Sequence, residues 1–262
     1  MDQPVTVQVD KILDEMDPIS LQEMDHVRLM KRRDVKYVVP SKKVPGLLAS
    51  VADKYRVLEI EGQRIHDYQT LYFDTPDRSM YHEHHNRRLN RYKVRVRKYV
   101  NSELSFLEVK FKNNRGETIK RRIQPRDPEN IMEERNDSFL LANSPYSSSE
   151  ILPALQNYFK RITFVHRTNA ERLTIDLDIN YSSIGDFESL HLPGFSVIEI
   201  KFDRDAAHSD MVRQLRLEHY QAMGFSKYCM GTALMQPDVK TNLFKPRLRR
   251  LRKYDPAIDD QT

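Results

Sequence analysis

The chain has 262 residues, and its 43 Lys and Arg against 38 Asp and Glu leave a net charge of +5. Its hydrophobic fraction of 39%, with 13 Tyr and 11 Phe, suffices for a buried core and argues against a disordered protein. One cysteine excludes a disulfide framework and a cysteine-based zinc site, and seven glycines without a GxGxxG or P-loop motif argue against those nucleotide sites.

Alternation of charged and apolar residues is the main structural signal, and it predicts β-strands because side chains alternate between the two faces of a strand. In 32–37, Asp34 and Lys36 alternate with apolar neighbours. In 91–100, Arg95 and Arg97 belong to a row of four cations on one face of the predicted strand. The same pattern predicts strands over 106–112, 118–124, 172–179 and 197–203, with 118–124 the least regular.

Amphipathic segments predict helices over 41–54, 128–142, 150–159 and 208–222. The polar faces of the predicted strands are almost wholly charged, whereas an ordinary solvated sheet face also carries Ser, Thr and Gln. We therefore predict an α+β fold, in which an antiparallel β-barrel has a charged lumen and helices packed outside. A one-sided antiparallel sheet is the alternative.

The chain is expected to consist of three parts, and the motifs described below give the bounds of the middle one. Residues 1–27 are predicted to form an N-terminal extension, and residues 28–236 the barrel domain. The tail 237–262 is basic and then acidic, and we expect it to be flexible or loosely docked, either solvated or touching phosphate or a membrane surface. No apolar run approaches the roughly 18 residues of a membrane span. No signal pattern opens the chain, so a cytoplasmic protein is expected.

A lumen lined with cations predicts a polyanionic ligand, because like charges repel unless anions lie between them. Phosphate chains fit best, since Arg forms bidentate hydrogen bonds with phosphoryl oxygens and Lys supplies point charges. The acidic minority, whose hard oxygens suit Mg²⁺ or Mn²⁺, consists of Glu108, Asp176, Asp178 and Glu199. These acids either hold such a cation or act as counter-ions to neighbouring arginines. Cations for phosphate and acids for metal indicate phosphoryl transfer.

Seven short motifs occur in the order of a known family, and they are RRDVKYVV, YQTLYFDT, YKVRVRKY, FLEVKFK, HRTNAERLTIDLDIN, VIEIKF and FSKYCMG. With them the chain resembles the VTC domain, from about Arg28 to Gly231. This is the polyphosphate polymerase domain of vacuolar transporter chaperone complexes, within the triphosphate tunnel metalloenzyme superfamily. The resemblance implies a barrel of the triphosphate-tunnel type, ATP and polyphosphate or triphosphate as ligands, and Mn²⁺ or Mg²⁺ as cofactor.

The resemblance also implies roles for single residues. The implied catalytic residues are Lys36, Arg95, Arg97, Lys110, Arg167 and Lys227. The same six residues are expected to contact substrate, together with Arg122, Lys201 and Ser226. The implied metal ligands are Glu199 first, then Glu108, Asp176 and Asp178.

The opening motif departs from tunnel enzymes that begin with Glu-x-Glu-x-Lys, because Arg32 and Asp34 stand at the two acidic positions. The lost carboxylate favours the VTC branch over the thiamine-triphosphatase and RNA-triphosphatase branches. Yeast-type VTC complexes also carry SPX and membrane domains that this sequence lacks, so any membrane-protein partner is expected to be a separate chain.

Four functions are consistent with the sequence. The leading hypothesis is an enzyme that transfers the γ-phosphoryl group of ATP to a growing polyphosphate chain. The alternatives are a hydrolase of tripolyphosphate or nucleoside triphosphates and a non-catalytic polyphosphate-binding module. A nucleic-acid-binding barrel is least favoured, because the aromatic residues alternate away from the charged face, as at Tyr37, Phe73, Phe111 and Phe202.

Three further expectations concern groups outside these motifs. A basic exit path for a product chain is predicted beyond Lys110, formed by Lys112, Arg115, Lys120, Arg121 and Arg126. We expect the histidines of YHEHHNRR, which are His82, His84 and His85, to lie on the surface without binding zinc. Cys229 is expected to be a small buried hydrophobe.

Overall fold

A computed structural model describes residues 3–26, 33–127, 130, 133–185, 188–203 and 209–261, so Arg32 of the opening motif lies outside the described residues. In these ranges the strands are β1 (Pro18–Ile19), β2 (Arg33–Pro40), β3 (Tyr55–Leu58), β4 (His66–Asp74), β5 (Arg91–Tyr99), β6 (Leu104–Lys112), β7 (Thr118–Ile123), β8 (Leu152–His166), β9 (Glu171–Ser182), β10 (Ser189–Leu192) and β11 (Phe195–Phe202). The helices are α1 (Val5–Asp14), α2 (Leu21–His26), α3 (Val44–Ala49), α4 (Ser79–His85), α5 (Glu134–Asn143), α6 (Asp210–Leu217), α7 (Lys227–Met235) and α8 (Lys245–Arg252).

The strands join in one sheet with the order β2-β11-β9-β8-β4-β5-β6-β7, to which β3 and β10 add by pairing with β8 and β9. Every pair is antiparallel except the short parallel pair of β1 and β3. The six strands predicted from alternating charge are confirmed as β2, β5, β6, β7, β9 and β11. The α+β class is therefore confirmed.

The predicted helix over 150–159 is wrong, because most of this segment belongs to the long strand β8. The strand continues through Ile162, Phe164 and Val165, which are residue types that favour strands. It also pairs with β4 on one side and β9 on the other. Hydrogen bonding to two neighbours overrides a short amphipathic pattern.

The prediction of a closed barrel is not confirmed, because the two end strands of the sheet do not pair in the described residues. Among the described residues, β2 and β7 are the two ends of the sheet and do not pair with each other. The free edge of β2 is instead covered in part by the segment 221–226, where the Met223 N–H donates to the Lys36 carbonyl at 2.7 Å. At the end of this segment, Ser226 accepts a hydrogen bond from Lys93 of β5 at 2.7 Å. A loop thus lies where a closed barrel would need a strand pair.

Four of the eight helices in the described ranges, α1, α3, α5 and α6, pack on the apolar face of the sheet, where helices were predicted. The apolar residues of β8, β9 and β11 form one core with α1, α3 and α6, in which Ile162, Ile175 and Ile198 are fully buried. A second core joins β5 and β6 to α5 through Val94 and Leu140. The alternation of the strands produces these cores because one face of each strand is apolar.

Helix α7 is an exception, since it lies on the charged, concave face. Tyr72 faces Arg95 across the β4–β5 pair and stacks on Tyr228 of α7, with ring centroids 5.1 Å apart. Gly231 permits this close approach, because a Cβ there would lie 2.6 Å from the Leu155 side chain. The concave face is apolar in this part and charged beyond it, so α7 covers one end of the charged surface.

The C-terminal tail, for which the sequence predicts a flexible or loosely docked segment, is held to the fold by buried side chains. Leu248 and Leu251 of α8 are buried in the core beside α7, together with Phe244. The Asp255 carboxylate accepts a hydrogen bond from the Gly194 N–H at 2.7 Å. These contacts hold the basic helix against the fold. None of the helices within the described ranges is long and apolar enough to cross a membrane.

Candidate functional site

The concave face brings together nine cations and three carboxylates, which we call the charged cluster. Its cations are Lys36, Lys93, Arg95, Arg97, Lys110, Lys120, Arg161, Lys201 and Lys227, and its carboxylates are Glu108, Asp176 and Glu199. Strand register explains the gathering, because residues paired directly across strands share a face. Arg95 is opposite Glu108, for example, and Glu199 is opposite Lys36.

Asp176 lies at the centre of one ion-pair group. Its two carboxylate oxygens accept hydrogen bonds from Arg161, Nε at 2.6 Å and Nη2 at 2.8 Å, and one of them also pairs with Lys227. The Asp176 side chain is 2% exposed. Burial alone would raise its pKa, but Arg161 and Lys227 outweigh burial and lower the pKa to about 2. Asp176 is therefore a fixed anion at neutral pH.

Glu108 is the counter-ion of a second group. It accepts a hydrogen bond from the Nε of Arg95 at 2.7 Å and pairs with Lys120 of β7. Burial acts to raise the pKa of Glu108, yet Arg95, Arg97 and Lys120 lower it to about 2. This carboxylate neutralises the cations on both sides of its strand.

Glu199 forms the third group with Lys36 and Lys201. Lys36 Nζ lies 2.7 Å from Glu199 Oε1, and Lys201 contacts the same oxygen. Burial acts to raise the pKa of Glu199, but Lys201, Lys36 and Arg161 hold it well below its usual value. The shortest contacts of both lysines are with one oxygen of the carboxylate.

The cations outnumber these carboxylates, and Arg97 shows the consequence most clearly. Its side chain is only 9% exposed, and its Nε has no hydrogen-bond partner among the described residues. Burial lowers the pKa of Arg97, and repulsion from Arg95 and Arg161 lowers it further. A buried, unpaired cationic donor is costly unless an anion reaches it.

Two further cations of the cluster, Lys93 and Lys110, are surrounded mainly by other cations. Lys93 donates to the hydroxyl of Ser226, and burial is the first cause that lowers its pKa. The pKa of Lys110 falls to about 7. Partial desolvation of its ammonium group is the largest cause, and repulsion from Lys93, Arg95 and Lys36 lowers the pKa further. The Lys110 side chain is exposed to solvent, so an anion in solution can reach it. A bound anion would offset the repulsion from the neighbouring cations and raise the pKa again.

Aromatic rings support several cations without neutralising them. The guanidinium carbons of Arg97 and Arg161 lie 5.6 Å and 5.1 Å from the centre of the Tyr68 ring. Lys227 Nζ lies 4.0 Å from the centre of the Phe159 ring. Such cation–π contacts stabilise the positive charges while leaving them available to a ligand.

The structure brings most of the site residues predicted from the sequence to this cluster. Ser226 lies there through its bond with Lys93, and Arg122 is on the same face opposite Glu108, 4.5 Å above the Phe106 ring. The other predicted residues in the cluster are Lys36, Arg95, Arg97, Glu108, Lys110, Asp176, Glu199, Lys201 and Lys227.

Two predicted site residues lie elsewhere. Arg167 follows the end of β8, pairs with Asp17 at 2.7 Å and donates to the Asp53 carbonyl at 2.9 Å. Asp178 lies at a register shift between β8 and β9 and has a left-handed backbone, with φ of 51°. Its carboxylate is 3.7 Å from His191, away from the charged cluster. A bulge shifts the alternation at this point, which explains the different placement.

Four residues of the site were not predicted from the sequence, namely Lys93, Lys120, Arg161 and Tyr68. Arg161 lies in β8, beyond the segment 150–159 for which a helix was expected. The alternation of Arg161 and Thr163 with Ile162 and Phe164 was the available signal. Lys93 belonged to an alternating row but had no assigned role, and Lys120 was assigned to the exit path rather than to the site.

The predicted basic exit path is split between two faces of the sheet. Lys120 points into the charged cluster and pairs with Glu108. Arg121 is the next residue along β7 and lines a groove on the opposite side with Tyr92 and Phe111, beside α5. Consecutive residues of a strand point to opposite faces, so these two cations do not line one path.

The histidine and cysteine expectations have different outcomes. Cys229 is fully buried, as expected. The surface position expected for the histidines is wrong for His85, which is 2% exposed and accepts a hydrogen bond from the Leu243 N–H at 3.2 Å. Helix α4 packs against α7, and this packing buries one side of it.

No group of three or more His, Cys, Asp or Glu side chains in the described ranges is close enough to hold a metal ion. Mg²⁺, however, is usually bound through one or two carboxylates together with substrate phosphates and water. Glu199 fits this sparse mode, because both of its lysine contacts converge on Oε1. Glu108 and Asp176 fit this mode less well, because cations contact both oxygens of each carboxylate.

Comparison with protein families matches residues 31–236 to the model of the VTC domain. No curated protein matches the sequence. Among solved structures, HpAC1 from Hippeastrum, described as an adenylyl cyclase candidate with dominant triphosphatase activity, is 16% identical, with 78% of this chain and 96% of that one covered and a TM-score of 0.49. An adenylate cyclase candidate from Bacillus halodurans is 13% identical, with coverage of 75% and 96% and a TM-score of 0.49. Another from Vibrio parahaemolyticus is 14% identical, with coverage of 78% and 99% and a TM-score of 0.45.

Proposed function

The chain belongs to the VTC domain family, and on that premise we propose that it transfers the γ-phosphoryl group of ATP to a growing polyphosphate chain. The observation that carries the proposal is Arg97, a buried cation whose Nε has no partner and whose neighbours are Arg95 and Arg161. A linear chain of phosphates carries anionic oxygens all along its length, and guanidinium groups bind such oxygens through charge-assisted hydrogen bonds.

The charged cluster acts by binding and by neutralising charge. Arg95, Arg97 and Lys110 would hold the oxygens of a triphosphate, together with Lys36 and Lys227 on the other side of the concave face. Phosphoryl transfer needs little covalent help from a protein, because positioning and charge stabilisation lower most of the barrier.

A divalent cation, Mn²⁺ or Mg²⁺, would supply further neutralisation of the phosphoryl oxygens when bound. Glu199 would hold it, together with oxygens of the substrate. Comparing turnover with Mn²⁺ and with Mg²⁺ identifies the preferred metal.

Transfer to polyphosphate is favoured over hydrolysis by the state of the carboxylates. Water needs a base or a positioning group before it attacks, whereas the terminal phosphate of a polyphosphate chain is already an anionic nucleophile. The pKa of Glu108 and that of Asp176 are about 2, and cations lower the pKa of Glu199 as well. Carboxylates of such low pKa are weak bases.

The test is to incubate the purified full chain with ATP and Mn²⁺ or Mg²⁺ and to follow ADP, orthophosphate and acid-stable polymer together. We expect ADP to accumulate with its phosphate in polymer. Stoichiometric orthophosphate without polymer would establish the hydrolase instead. Tight polyphosphate binding without turnover would establish a binding module.

Arg97→Gln is the diagnostic variant, and Lys98→Gln is its matched control, because Lys98 is the next residue of β5 and points to the opposite face. We expect Arg97→Gln to lower kcat about 100-fold, the loss typical of one charge-stabilising donor. Its thermal unfolding temperature should stay equal or rise, since the change relieves repulsion. Equal activities of the two variants would remove Arg97 from the mechanism.

A further inference from the structure

A second basic surface lies beside the charged cluster, and we call it the basic mouth. It consists of Arg87, Arg91, Arg247 and Arg250. The first two belong to the connection from α4 to β5 and to the start of β5, and the other two to α8. Arg247 and Arg250 lie beyond residue 236, where the match to the VTC family ends.

The basic mouth adjoins the charged cluster through the segment 221–226. Lys93 of the cluster donates to Ser226, and a Cβ at Gly224, two residues earlier, would lie 3.6 Å from the Nη2 of Arg247. The hydrogen bond from Leu243 N–H to His85 joins the turn that precedes α8 to α4. A ligand that leaves the cluster past Lys93 therefore meets Arg247 next.

Helix α8 is rigidly placed for this role. Leu248 and Leu251 are buried in the core, and the Phe244 ring supports Arg247, whose guanidinium carbon lies 5.5 Å from the ring centre. Arg247 and Arg250 are three residues apart and so share one side of the helix. The arrangement extends the row of cations along α8.

Within the described part of the chain, none of the four arginines of the basic mouth forms an ion pair with a carboxylate. Glu83 is a carboxylate near Arg91, which acts to lower its pKa against the larger effect of burial. Burial lowers the pKa of Arg247, and Arg87 lowers it further. Burial also lowers the pKa of His84, and Lys93, Arg91 and Arg247 add to this effect. Arg91 and Arg247 therefore lie near His84, and Arg87 lies near Arg247.

We propose that the basic mouth binds linear polyphosphate outside the charged cluster and holds the part of the chain that extends beyond it. The proposal rests on the proposed function for the identity of the ligand. An anionic membrane is the less favoured partner, because the apolar side of α8 is buried in the protein and cannot insert into lipid. Continuity with Lys93 and Ser226 favours a chain that passes from one surface to the other.

The test compares two double variants of the full-length protein with the same change in net charge. Arg247→Gln with Arg250→Gln alters the basic mouth, whereas Lys245→Gln with Arg249→Gln removes two exposed cations from another side of α8. Affinities are measured for tripolyphosphate and for long-chain polyphosphate over a range of salt concentrations. Circular dichroism verifies folding, and Arg250→Gln alone, at a half-exposed position, serves if the double variant does not fold.

We expect the mouth variant to bind long-chain polyphosphate about ten-fold more weakly, which corresponds to about 1.4 kcal/mol. The slope of log K against log salt should decrease by about 1.4, for two lost phosphate contacts at roughly 0.7 each. Tripolyphosphate affinity should be unchanged in both variants, and the control should keep its affinity for the long chain.

Equal losses in the two double variants would overturn the proposal, since bulk charge would explain them. An equal loss for tripolyphosphate and the long chain would also overturn it, because the arginines would then act on the cluster itself. Vesicles of phosphatidylcholine and phosphatidylglycerol give a third readout: loss of vesicle binding with retained polyphosphate affinity would assign the surface to a membrane. Failure of the proposed function is separate, because it appears in the ATP assay as orthophosphate without polymer or as binding without turnover, and both outcomes are read without the Arg247 and Arg250 variants.

Discussion

The ion-pair group around Asp176 allows a quantitative prediction for Asp176→Asn. The change keeps the shape of the side chain but removes the anion between Arg161 and Lys227, at a position that is 2% exposed. The pKa of Asp176 is lowered from 3.8 to about 2. That shift corresponds to roughly 2 kcal/mol of stability above pH 3.8, at about 1.4 kcal/mol for each pH unit. Leaving two buried cations unopposed raises the expected loss to about 3–5 kcal/mol.

The pH dependence has a definite sign. Because the folded pKa is below the unfolded one, the stabilisation is complete above pH 3.8 and is lost as the pH falls towards 2. The wild type should therefore lose stability in this interval, and Asp176→Asn should lose less. Tripolyphosphate should stabilise the variant more than the wild type, since its oxygens replace the missing anion.

Urea unfolding followed by far-ultraviolet circular dichroism is the assay, because the chain contains no tryptophan. Asp53→Asn is the control, since Asp53 also pairs with a lysine, Lys54, but lies at the surface. We expect that control to change stability little, because solvent screens exposed ion pairs. A free energy of unfolding for Asp176→Asn within about 0.5 kcal/mol of the wild type at neutral pH would refute this account of the cluster.

Three further predictions concern single residues. Tripolyphosphate binding at about pH 8 should take up protons, because the pKa of Lys110 is about 7 in the free protein and a bound anion raises it. Titration calorimetry in two buffers of different ionisation enthalpy measures the proton uptake. The same uptake in Lys110→Met as in the wild type would contradict the prediction. Gly231→Ala should cost about 1–3 kcal/mol through overlap with Tyr181. Gly46→Ala, with nothing within 4 Å, should not destabilise; equal melting temperatures of the two variants would argue against the tight contact of α7. Cys229 should react with a thiol reagent only after unfolding, and rapid labelling of the native protein would show that it is accessible.

The sequence by itself determined the charged face and its strands. Charges at every second position, as at Arg95 and Arg97, place the side chains on one face of a strand whatever the neighbouring strands are. Glu108 lies on the same face as Arg95 for the same reason, although the register that sets them opposite each other comes from the structure. The local period was sufficient to predict the face of each strand.

Tertiary structure alone decided which charges meet. The sequence pattern did not separate Arg161, which reaches the cluster, from Arg167, which pairs with Asp17 beyond the end of β8. Asp178 shares the alternation of Asp176, but a bulge and a positive φ turn it towards His191. Alternation specifies a face and not a register, so one extra residue changes the outcome.

The closure of the sheet and the positions of α7 and α8 also depend on the tertiary structure. Met223 rather than β7 covers the edge of β2, and Tyr228 of α7 occupies the concave face beside Tyr72. The basic sequence of α8 predicts a solvated tail, yet Leu248 and Leu251 bury its other side. Whether an apolar stripe finds a complementary surface depends on residues far away in the chain, and local composition does not contain that information.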